Sequence, residues 1–312
     1  MIRSTLFLCA VCSIFLIGCQ SANGPSDGRI PVVCTTSLIA DAVKRIGGDR
    51  VRVECLMGPG IDPHRYTATP GDIRKLSDAR IVFQHGLHLE GKLGDVLEKP
   101  RPGQRSVVIT RDLTESRLLP GDGGDGPHDP HVWFDPRLWA DCLPPIVAAL
   151  SETDPEGKND FENAAKAYRE EILAVDRELE SLVQSLPAER RKLVTSHDAF
   201  RYFGARYGIE VHGLLGISTG SEASTRDVGQ LAAFLATNKV PVIFGETSVP
   251  SKGLKAVIDS CEKKHGHSVR LIGGDDALYS DALGEPDSPG ATYLGMIRHN
   301  TNIIVDALKS RP

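Results

Sequence analysis

The chain has 312 residues, of which 40% are hydrophobic and 25% are charged. Its 36 basic and 41 acidic side chains give a net charge of −5, which argues against nucleic acid as a partner and against a basic membrane-binding surface. The length suits two domains of ordinary size, each with its own hydrophobic core.

The N-terminus has the pattern of an export signal. Its apolar run at 6–17 is shorter than the roughly 20 residues that a membrane-spanning helix needs. The run ends in Leu-Ile-Gly-Cys, which resembles the bacterial lipoprotein signal and implies that lipid on Cys19 holds the protein to the membrane. We therefore predict a signal peptide at 1–18 and a flexible tether at 19–29. The alternative is ordinary secretion, with Cys19 a buried or spare cysteine.

Strands and helices alternate after the tether, a pattern typical of a parallel sheet with right-handed crossovers. The predicted strands lie at 30–35, 51–57, 79–83 and 107–109, and the predicted helices at 38–46, 70–78 and 138–150. The last helix contains Pro144-Pro145, which must kink or break it.

Cysteines other than Cys19 and those of the signal do not form a disulfide scaffold or a Cys-x-x-Cys zinc motif. They are Cys34, Cys55, Cys142 and Cys261. The first two lie in neighbouring predicted strands, where they could be bridged or could be two buried free thiols.

Two Asp-Pro-His triplets are the most informative motif. They are Asp62-Pro63-His64, on a loop just past a predicted strand, and Asp129-Pro130-His131, after a short acidic glycine loop. Each proline restricts the backbone, and a carboxylate two residues away can fix the tautomer of a metal-binding imidazole. The repeat therefore indicates metal binding. The alternative is that Asp-Pro opens a turn and the histidine merely follows it.

The strongest periodicity runs from Phe161 to Leu186, with apolar residues at alternating steps of four and three. We predict a long linking helix at 156–188, between an N-terminal α/β lobe at 30–155 and a C-terminal α/β lobe at 189–312. A coiled-coil partner is the alternative interpretation.

The C-terminal lobe repeats the alternation of strands and helices. Its predicted strands lie at 193–196, 209–215, 240–245 and 269–272, and its helices at 226–236, 253–264 and 291–309. His197 directly follows the first of these strands, and Glu246 follows the third. Side chains in such positions line the ligand edge of an open α/β sheet.

Six motifs, in this order, resemble the zinc and manganese solute-binding lipoproteins of bacterial ABC transporters over nearly the whole mature chain. The first three are Gly-Pro-Gly-Ile-Asp-Pro-His at 58–64, Gly-Leu-His-Leu-Glu-Gly at 86–91 and Asp-Pro-His-Val-Trp-Phe-Asp-Pro at 129–136. The others are Thr-Ser-His-Asp-Ala-Phe at 195–200, Phe-Gly-Glu-Thr-Ser at 244–248 and Tyr-Ser-Asp-Ala-Leu-Gly at 279–284. The resemblance implies two α/β lobes with parallel sheets, joined by one long helix, with a metal in the cleft between them.

Carried over residue by residue, the resemblance implies that the metal ligands are His64, His131, His197 and Asp281. The choice of Asp281 over Asp275 and Asp276 rests on the resemblance alone. By the same resemblance Glu246 is structural or supports a ligand, although its chemistry would also suit a ligand. Asp62 and Asp129 are expected to support the histidines of their triplets.

The other histidines are expected to play smaller parts. His88 and His128 lie near the motifs and are interpreted as loop histidines, with a supporting or access-path role as the alternative. His265 and His267 are expected to have no function, and His85, His212 and His299 to be ordinary surface or packed histidines.

The chain departs from the pattern in two places. The long histidine-rich loop that many zinc members carry before the second histidine is replaced by the short segment 121–129, and the proline that usually follows Ser-Glu in the second lobe is absent at 221–224. Neither change touches an expected ligand.

The resemblance implies capture of one divalent metal ion and its delivery to a membrane permease, without catalysis. Three imidazoles and one carboxylate favour zinc, and manganese is the alternative. The expected protein is a monomer, exported and anchored as a lipoprotein facing the periplasm or the cell exterior. An exported zinc hydrolase and a surface adhesin are the competing classes, but the sequence has no His-Glu-x-x-His motif and gives an adhesin no separate support.

Overall fold

The computed structural model describes residues 28–97, 99–122 and 126–309. The predicted signal peptide, Cys19 and most of the predicted tether lie outside these residues. Within the described part of the chain, no helix combines the length and the apolar character that crossing a membrane requires.

The first lobe is built on a four-stranded parallel sheet with the order β2-β1-β3-β4. Its strands are β1 Ile30–Thr36, β2 Val51–Met57, β3 Ile81–Gln84 and β4 Arg105–Val108. The two central strands are almost fully buried, as expected of a sheet covered on both faces. The helices of this half are α1 Ser37–Gly47, α2 Pro70–Asp78, α3 Gly94–Leu97, α4 Pro136–Asp141 and α5 Leu143–Thr153.

Local sequence accounts for where these helices begin and end. The Thr36 side chain caps α1, and Thr69 with Asp72 forms a capping box at α2. The predicted helix at 138–150 is divided at Cys142, and Pro144 lies in the first turn of α5. Proline is tolerated there because the first amide groups of a helix have no partner within it.

The second lobe repeats the topology with the order β6-β5-β7-β8, again all parallel. Its strands are β5 Lys192–His197, β6 Glu210–Leu215, β7 Val242–Phe244 and β8 Arg270–Ile272. Its helices are α7 Arg201–Tyr207, α8 Thr225–Thr237, α9 Lys252–His265 and α10 Tyr293–Lys309. Helix α7, which is short and ends at the left-handed Gly208, was not predicted from the sequence.

The predicted linking helix is α6, Lys158–Gln184. Its 27 residues span about 40 Å at the usual helical rise. The buried stripe follows the predicted positions as far as Leu179, but it then continues at Val183, whereas Leu182 is only partly buried. A period of 3.6 residues drifts away from a strict step of 3.5, which explains the shift.

Asp176 connects α6 to α4 and to α7 through hydrogen bonds. This buried carboxylate accepts from Arg137 Nε of α4 at 2.9 Å, and from Arg206 Nε of α7 at 2.8 Å and Tyr207 Oη at 3.1 Å. Burial acts to raise the pKa of Asp176, but the two guanidinium groups outweigh it and lower that pKa.

The two parallel sheets and the long helix α6 between them confirm the expected architecture of two parallel-sheet lobes joined by a long helix.

Cys34 and Cys55 stand opposite each other in the register of β1 and β2, and both are free thiols. Burial raises the pKa of the Cys55 thiol to about 11. Cys34 and Cys55 are therefore not joined by a disulfide bridge in this structure. Cys142 and Cys261 are buried free thiols.

Candidate metal centre

Four side chains from the two halves of the chain converge between the lobes. They are His64, His131, His197 and Asp281, and one nitrogen or oxygen atom of each lies within 4.8 Å of the corresponding atoms of the others. His131, His197 and Asp281 are fully buried, whereas His64 is partly exposed. Such a cluster of three imidazoles and one carboxylate could hold a metal ion.

The spacing of these atoms fits a small coordination sphere. His64 Nε2 and His131 Nε2 lie 3.3 Å apart, His131 Nε2 and Asp281 Oδ1 3.4 Å, and His197 Nε2 and Asp281 Oδ2 3.3 Å. Ligand atoms at tetrahedral corners, about 2.0–2.1 Å from one ion, would be about 3.3–3.4 Å apart. The Nε2 of His197 and the Oδ1 of Asp281 are buried without a hydrogen-bond partner among the described residues, as expected of atoms that face an ion.

His131 is oriented by the aspartate of its own triplet. Asp129 Oδ1 lies 2.7 Å from His131 Nδ1 and also accepts from the His131 backbone amide at 3.0 Å. Arg201 of the second lobe donates to the other oxygen of Asp129 at 3.3 Å. An Nδ1–H held by a carboxylate leaves the Nε2 lone pair to face the centre.

The first triplet uses its aspartate differently. Asp62 Oδ1 accepts from the His64 backbone amide at 2.9 Å, and Asp62 Oδ2 accepts from Thr219 Oγ1 of the second lobe at 2.5 Å. Asp62 thus holds the loop that carries the imidazole. The loop follows β2 and brings His64 to the carboxyl edge of the sheet.

His197 is the last residue of β5, and it is oriented by Glu246, which lies two residues after the end of β7. Glu246 Oε2 lies 2.5 Å from His197 Nδ1, and Glu246 Oε1 accepts from the His197 backbone amide at 2.9 Å. Glu246 is buried and bound to this imidazole, and it is not one of the four converging side chains. Glu246 therefore holds the His197 backbone by a hydrogen bond and places a carboxylate beside its ring.

Asp281 lies on the loop between β8 and α10. The neighbouring Ser280 carbonyl accepts from Trp133 Nε1 of the first lobe at 2.9 Å, which holds this loop against the other lobe. Asp275 and Asp276 are exposed and are not part of the converging group. Position in the fold distinguishes Asp281 from Asp275 and Asp276, whereas the sequence chemistry of the three aspartates could not.

Comparisons with known proteins place the chain among metal-binding transport proteins. The family model described as ZnuA, zinc-uptake complex component A periplasmic, matches residues 32–307. The chain is 42% identical to the zinc-binding protein TroA of Treponema pallidum, over 99% of each sequence. It is 43% identical to the manganese-binding lipoprotein MntA of Bacillus subtilis, over 94% of this chain and 95% of MntA.

A solved structure agrees. The periplasmic zinc-binding protein TroA from Treponema pallidum matches this fold with a TM-score of 0.86 and 43% identity, covering 91% of this chain and 100% of the TroA chain. The chain belongs to the ZnuA family. The resemblance drawn from the six sequence motifs is confirmed.

Electrostatics couples the four side chains of this ZnuA-family centre. Burial acts to lower the pKa of His197, but the carboxylates of Glu246 and Asp281 outweigh it and raise that pKa well above its usual value. Burial likewise opposes protonation of His131, whose pKa Asp129 and Asp281 nevertheless raise. The imidazoles in turn outweigh burial at Asp281 and hold its pKa well below the usual range. The centre therefore attracts protons when no other cation is bound.

The remaining histidines stay outside the group of four. His265 is exposed, His267 Nε2 lies 2.8 Å from the Val240 carbonyl, and His212 Nε2 lies 2.9 Å from Glu210. His88 and His128 line a small cavity beside His64. They therefore lie near the cluster without joining it.

Sequence reasoning missed two contributors. His85 is buried, and burial lowers its pKa to about 3, so its neutral ring donates from Nε2 to the Pro130 carbonyl at 2.7 Å, next to His131. Thr219, which reaches Asp62 from the other lobe, was also missed. Neither residue lies in a position with a recognisable signal, since each contact joins segments far apart in the chain.

Proposed function

We propose that this chain is the solute-binding component of a metal ABC transporter, which captures one divalent transition metal ion between its lobes and delivers it to a membrane permease. The observation that carries the proposal is the convergence of four donor side chains from two lobes on one buried point. Membership of the ZnuA family, with relatives named for zinc and manganese binding, supports it.

In this proposal His64 and His131 bind the ion from the first lobe, and His197 and Asp281 bind it from the second. Asp129 and Glu246 fix the imidazoles of His131 and His197. We also propose the division into lobes at 30–155 and 189–312 with the linking segment at 156–188. Each lobe then contributes two ligands, so the closed site requires both lobes to be in contact.

Zinc is the favoured ion because three imidazole nitrogens and one carboxylate form a compact, nitrogen-rich set. Manganese is the alternative, since it prefers more oxygen ligands. The two oxygens of Asp281 face different imidazoles, one towards His131 and the other towards His197, so this carboxylate could supply either one or two oxygens to the ion.

Capture and release need no chemical step. Four protein ligands would fill the positions of a tetrahedral ion, whereas a catalytic zinc keeps one position for water. Asp129 and Glu246, next to the cluster, each contact an imidazole, and Asp62 accepts from the His64 amide and from Thr219, so none of the three is placed to act as a general base. These contacts favour binding over the hydrolase alternative.

For the location of the protein, we propose an exported monomer anchored through lipid on Cys19, facing the periplasm or the cell exterior, with 19–29 as its tether. Relatives named as lipoproteins support this arrangement. Mass spectrometry of the membrane fraction would detect the lipid, and a Cys19→Ser variant should move the protein into the soluble exported fraction.

The test of the proposed function is metal stoichiometry on residues 20–312. The stripped protein is offered zinc and manganese separately, dialysed, and analysed for bound metal. We expect one ion per chain, with tighter zinc than manganese in competition against a chelator. Tighter manganese would overturn the choice of metal only. No stoichiometric binding of either ion would overturn the proposed function.

A further inference from the structure

A loop of the second lobe reaches across the cleft and contacts both ligand-bearing loops of the first. We call residues 216–220, between β6 and α8, the mouth loop. Its Thr219 Oγ1 donates to Asp62 Oδ2 at 2.5 Å, and its Ile217 backbone amide donates to Asp122 Oδ2 at 3.0 Å. Both acceptors are carboxylates of the first lobe, so the mouth loop joins the lobes by two hydrogen bonds.

The hydrogen bond made by Thr219 is connected to His64 through Asp62. The other oxygen of Asp62 holds the His64 backbone amide at 2.9 Å. Thr219 is only 2% exposed, so water has little access to its hydroxyl, and a hydrogen bond to a carboxylate is stronger than one between neutral groups. A hydroxyl of one lobe therefore fixes the backbone that carries an imidazole of the other.

The second contact lies on the same side of the cluster. Asp122 and the buried Ile217 line the small cavity that also touches His64. His64 is the member of the cluster that is partly exposed. The mouth loop thus covers the cavity beside the one cluster member whose side chain is partly exposed.

Another contact between the lobes near the site is built in a different way. There Trp133, fully buried, donates to the Ser280 carbonyl at 2.9 Å, and the buried Tyr293 hydroxyl donates to the Trp133 carbonyl at 2.9 Å. Separating these groups would expose large aromatic surfaces, whereas the contacts of the mouth loop with the first lobe among the described residues are two hydrogen bonds and the small apolar side chain of Ile217. We therefore expect separation of the mouth loop from the first lobe to cost less than separation of Trp133 from the Ser280 loop.

We propose that the mouth loop is a latch, in which Thr219 is a positioning residue that holds Asp62, and through it His64, and so sets the rate at which the captured ion leaves. This inference rests on the proposed function. It adds that closure of the site depends on a residue that binds no metal.

The test compares zinc release from four proteins by rapid mixing with excess chelator: wild type, Thr219→Val, Thr219→Ser and Ser218→Ala. Valine keeps the shape of threonine without the hydroxyl, so release should be about tenfold faster or more while the association rate changes little. Serine restores the hydroxyl and should restore slow release. Ser218 is the matched control, because its Oγ accepts from Gly220 within the mouth loop. Its loss should change the release rate much less than the loss of the Thr219 hydroxyl.

A double-mutant cycle tests the route through Asp62. In an Asp62→Ala background, Thr219→Val should have no further effect on release, since the hydroxyl has lost its partner. Asp122→Ala, at an exposed position, provides a second test if Thr219→Val fails to fold, and it should also accelerate release.

Release from Thr219→Val at the wild-type rate would overturn the latch, as would an undiminished effect in the Asp62→Ala background. If Thr219→Val does not fold, an unchanged rate in Asp122→Ala would overturn it. A wild-type protein that binds no zinc or manganese would instead overturn the proposed function on which the latch rests.

Discussion

The two sides of the candidate metal centre are built on different principles. At the back, His131 and His197 are fully buried and each has its Nδ1 held by a carboxylate, and the buried Asp281 lies between them. At the mouth, His64 is partly exposed, and the contact to its backbone comes from a loop aspartate that is itself held from the other lobe. Three donors therefore form a buried, fixed base in which both lobes take part, whereas the fourth is held through the backbone of its loop.

The largest effect is expected from removing a donor of the fixed base. His131→Ala should weaken zinc binding by more than about 100-fold, because losing a ligand exceeds the 10–100-fold cost of losing a ligand's support. It also leaves the buried Asp129 carboxylate without its imidazole, which should lower the free energy of unfolding by about 1–3 kcal/mol. Competition titration and chemical denaturation measure the two effects.

The control for His131→Ala is His88→Ala, which removes an exposed histidine near the cavity and should leave zinc affinity unchanged. Wild-type affinity in His131→Ala would show that the assignment of this ligand is wrong.

Removing the donor at the mouth should lower the stability of the fold less than removing His131 does. Its main effect should be on the affinity and exchange rate of the metal. His64→Ala leaves the three buried donors in place, so we expect a weaker site that still binds zinc and exchanges it rapidly. The free energy of unfolding should change by no more than about 0.5 kcal/mol, because the side chain is partly exposed. If His64→Ala were as destabilising as His131→Ala, the contrast between mouth and back would be wrong.

The next largest effect on zinc affinity is expected from the carboxylates that contact the imidazoles. Glu246→Gln keeps the shape but weakens the hold on His197 Nδ1, and zinc affinity should fall about 10–100-fold. Asp129→Asn should act similarly through His131. Glu222→Gln, at an exposed position outside the cluster, serves as the charge-matched control. Unchanged affinity in both carboxylate variants would mean that the orientation of these imidazoles does not limit binding.

The last expected change is a dependence of zinc affinity on pH. Because neighbouring carboxylates raise the pKa values of His131 and His197, the metal-free site takes up protons at a higher pH than the usual histidine value of about 6.5. Zinc must displace these protons, so apparent affinity should fall as pH decreases, beginning above pH 6.5. Titrations at a series of pH values measure the slope.

Glu246→Gln removes one of the charges that raise the pKa of His197, and it should therefore make this slope shallower. An apparent zinc affinity that stays constant between about pH 8 and pH 6 would contradict the proposed proton competition.

Periodicity and motif order predicted most of the fold. Strand β2 has its predicted bounds, and α6 lies within the predicted linking segment, because patterns of 2 and 3.6 residues are local properties of the chain. The prediction lost accuracy at the end of α6, where the buried stripe moves to Val183, and at the short α7. In these segments packing against distant residues decides what is buried.

The candidate site likewise has residues that local sequence predicted and residues that it could not. The triplets gave His64 and His131 from local chemistry, but Asp281 could be separated from Asp275 and Asp276 only by resemblance. The contact between Thr219 and Asp62 was unpredictable, because it joins residues 157 positions apart whose local sequence carries no signal. Contacts of this kind follow from how two lobes meet, which no single segment encodes.

The most direct test of the account is anomalous diffraction at the zinc absorption edge from crystals of the zinc-loaded protein. We predict one strong anomalous peak between the lobes, about 2.0–2.2 Å from single donor atoms of His64, His131, His197 and Asp281. A peak bound to residues of one lobe only, or a strong peak elsewhere with none at this point, would contradict the claim that the two lobes hold the ion together.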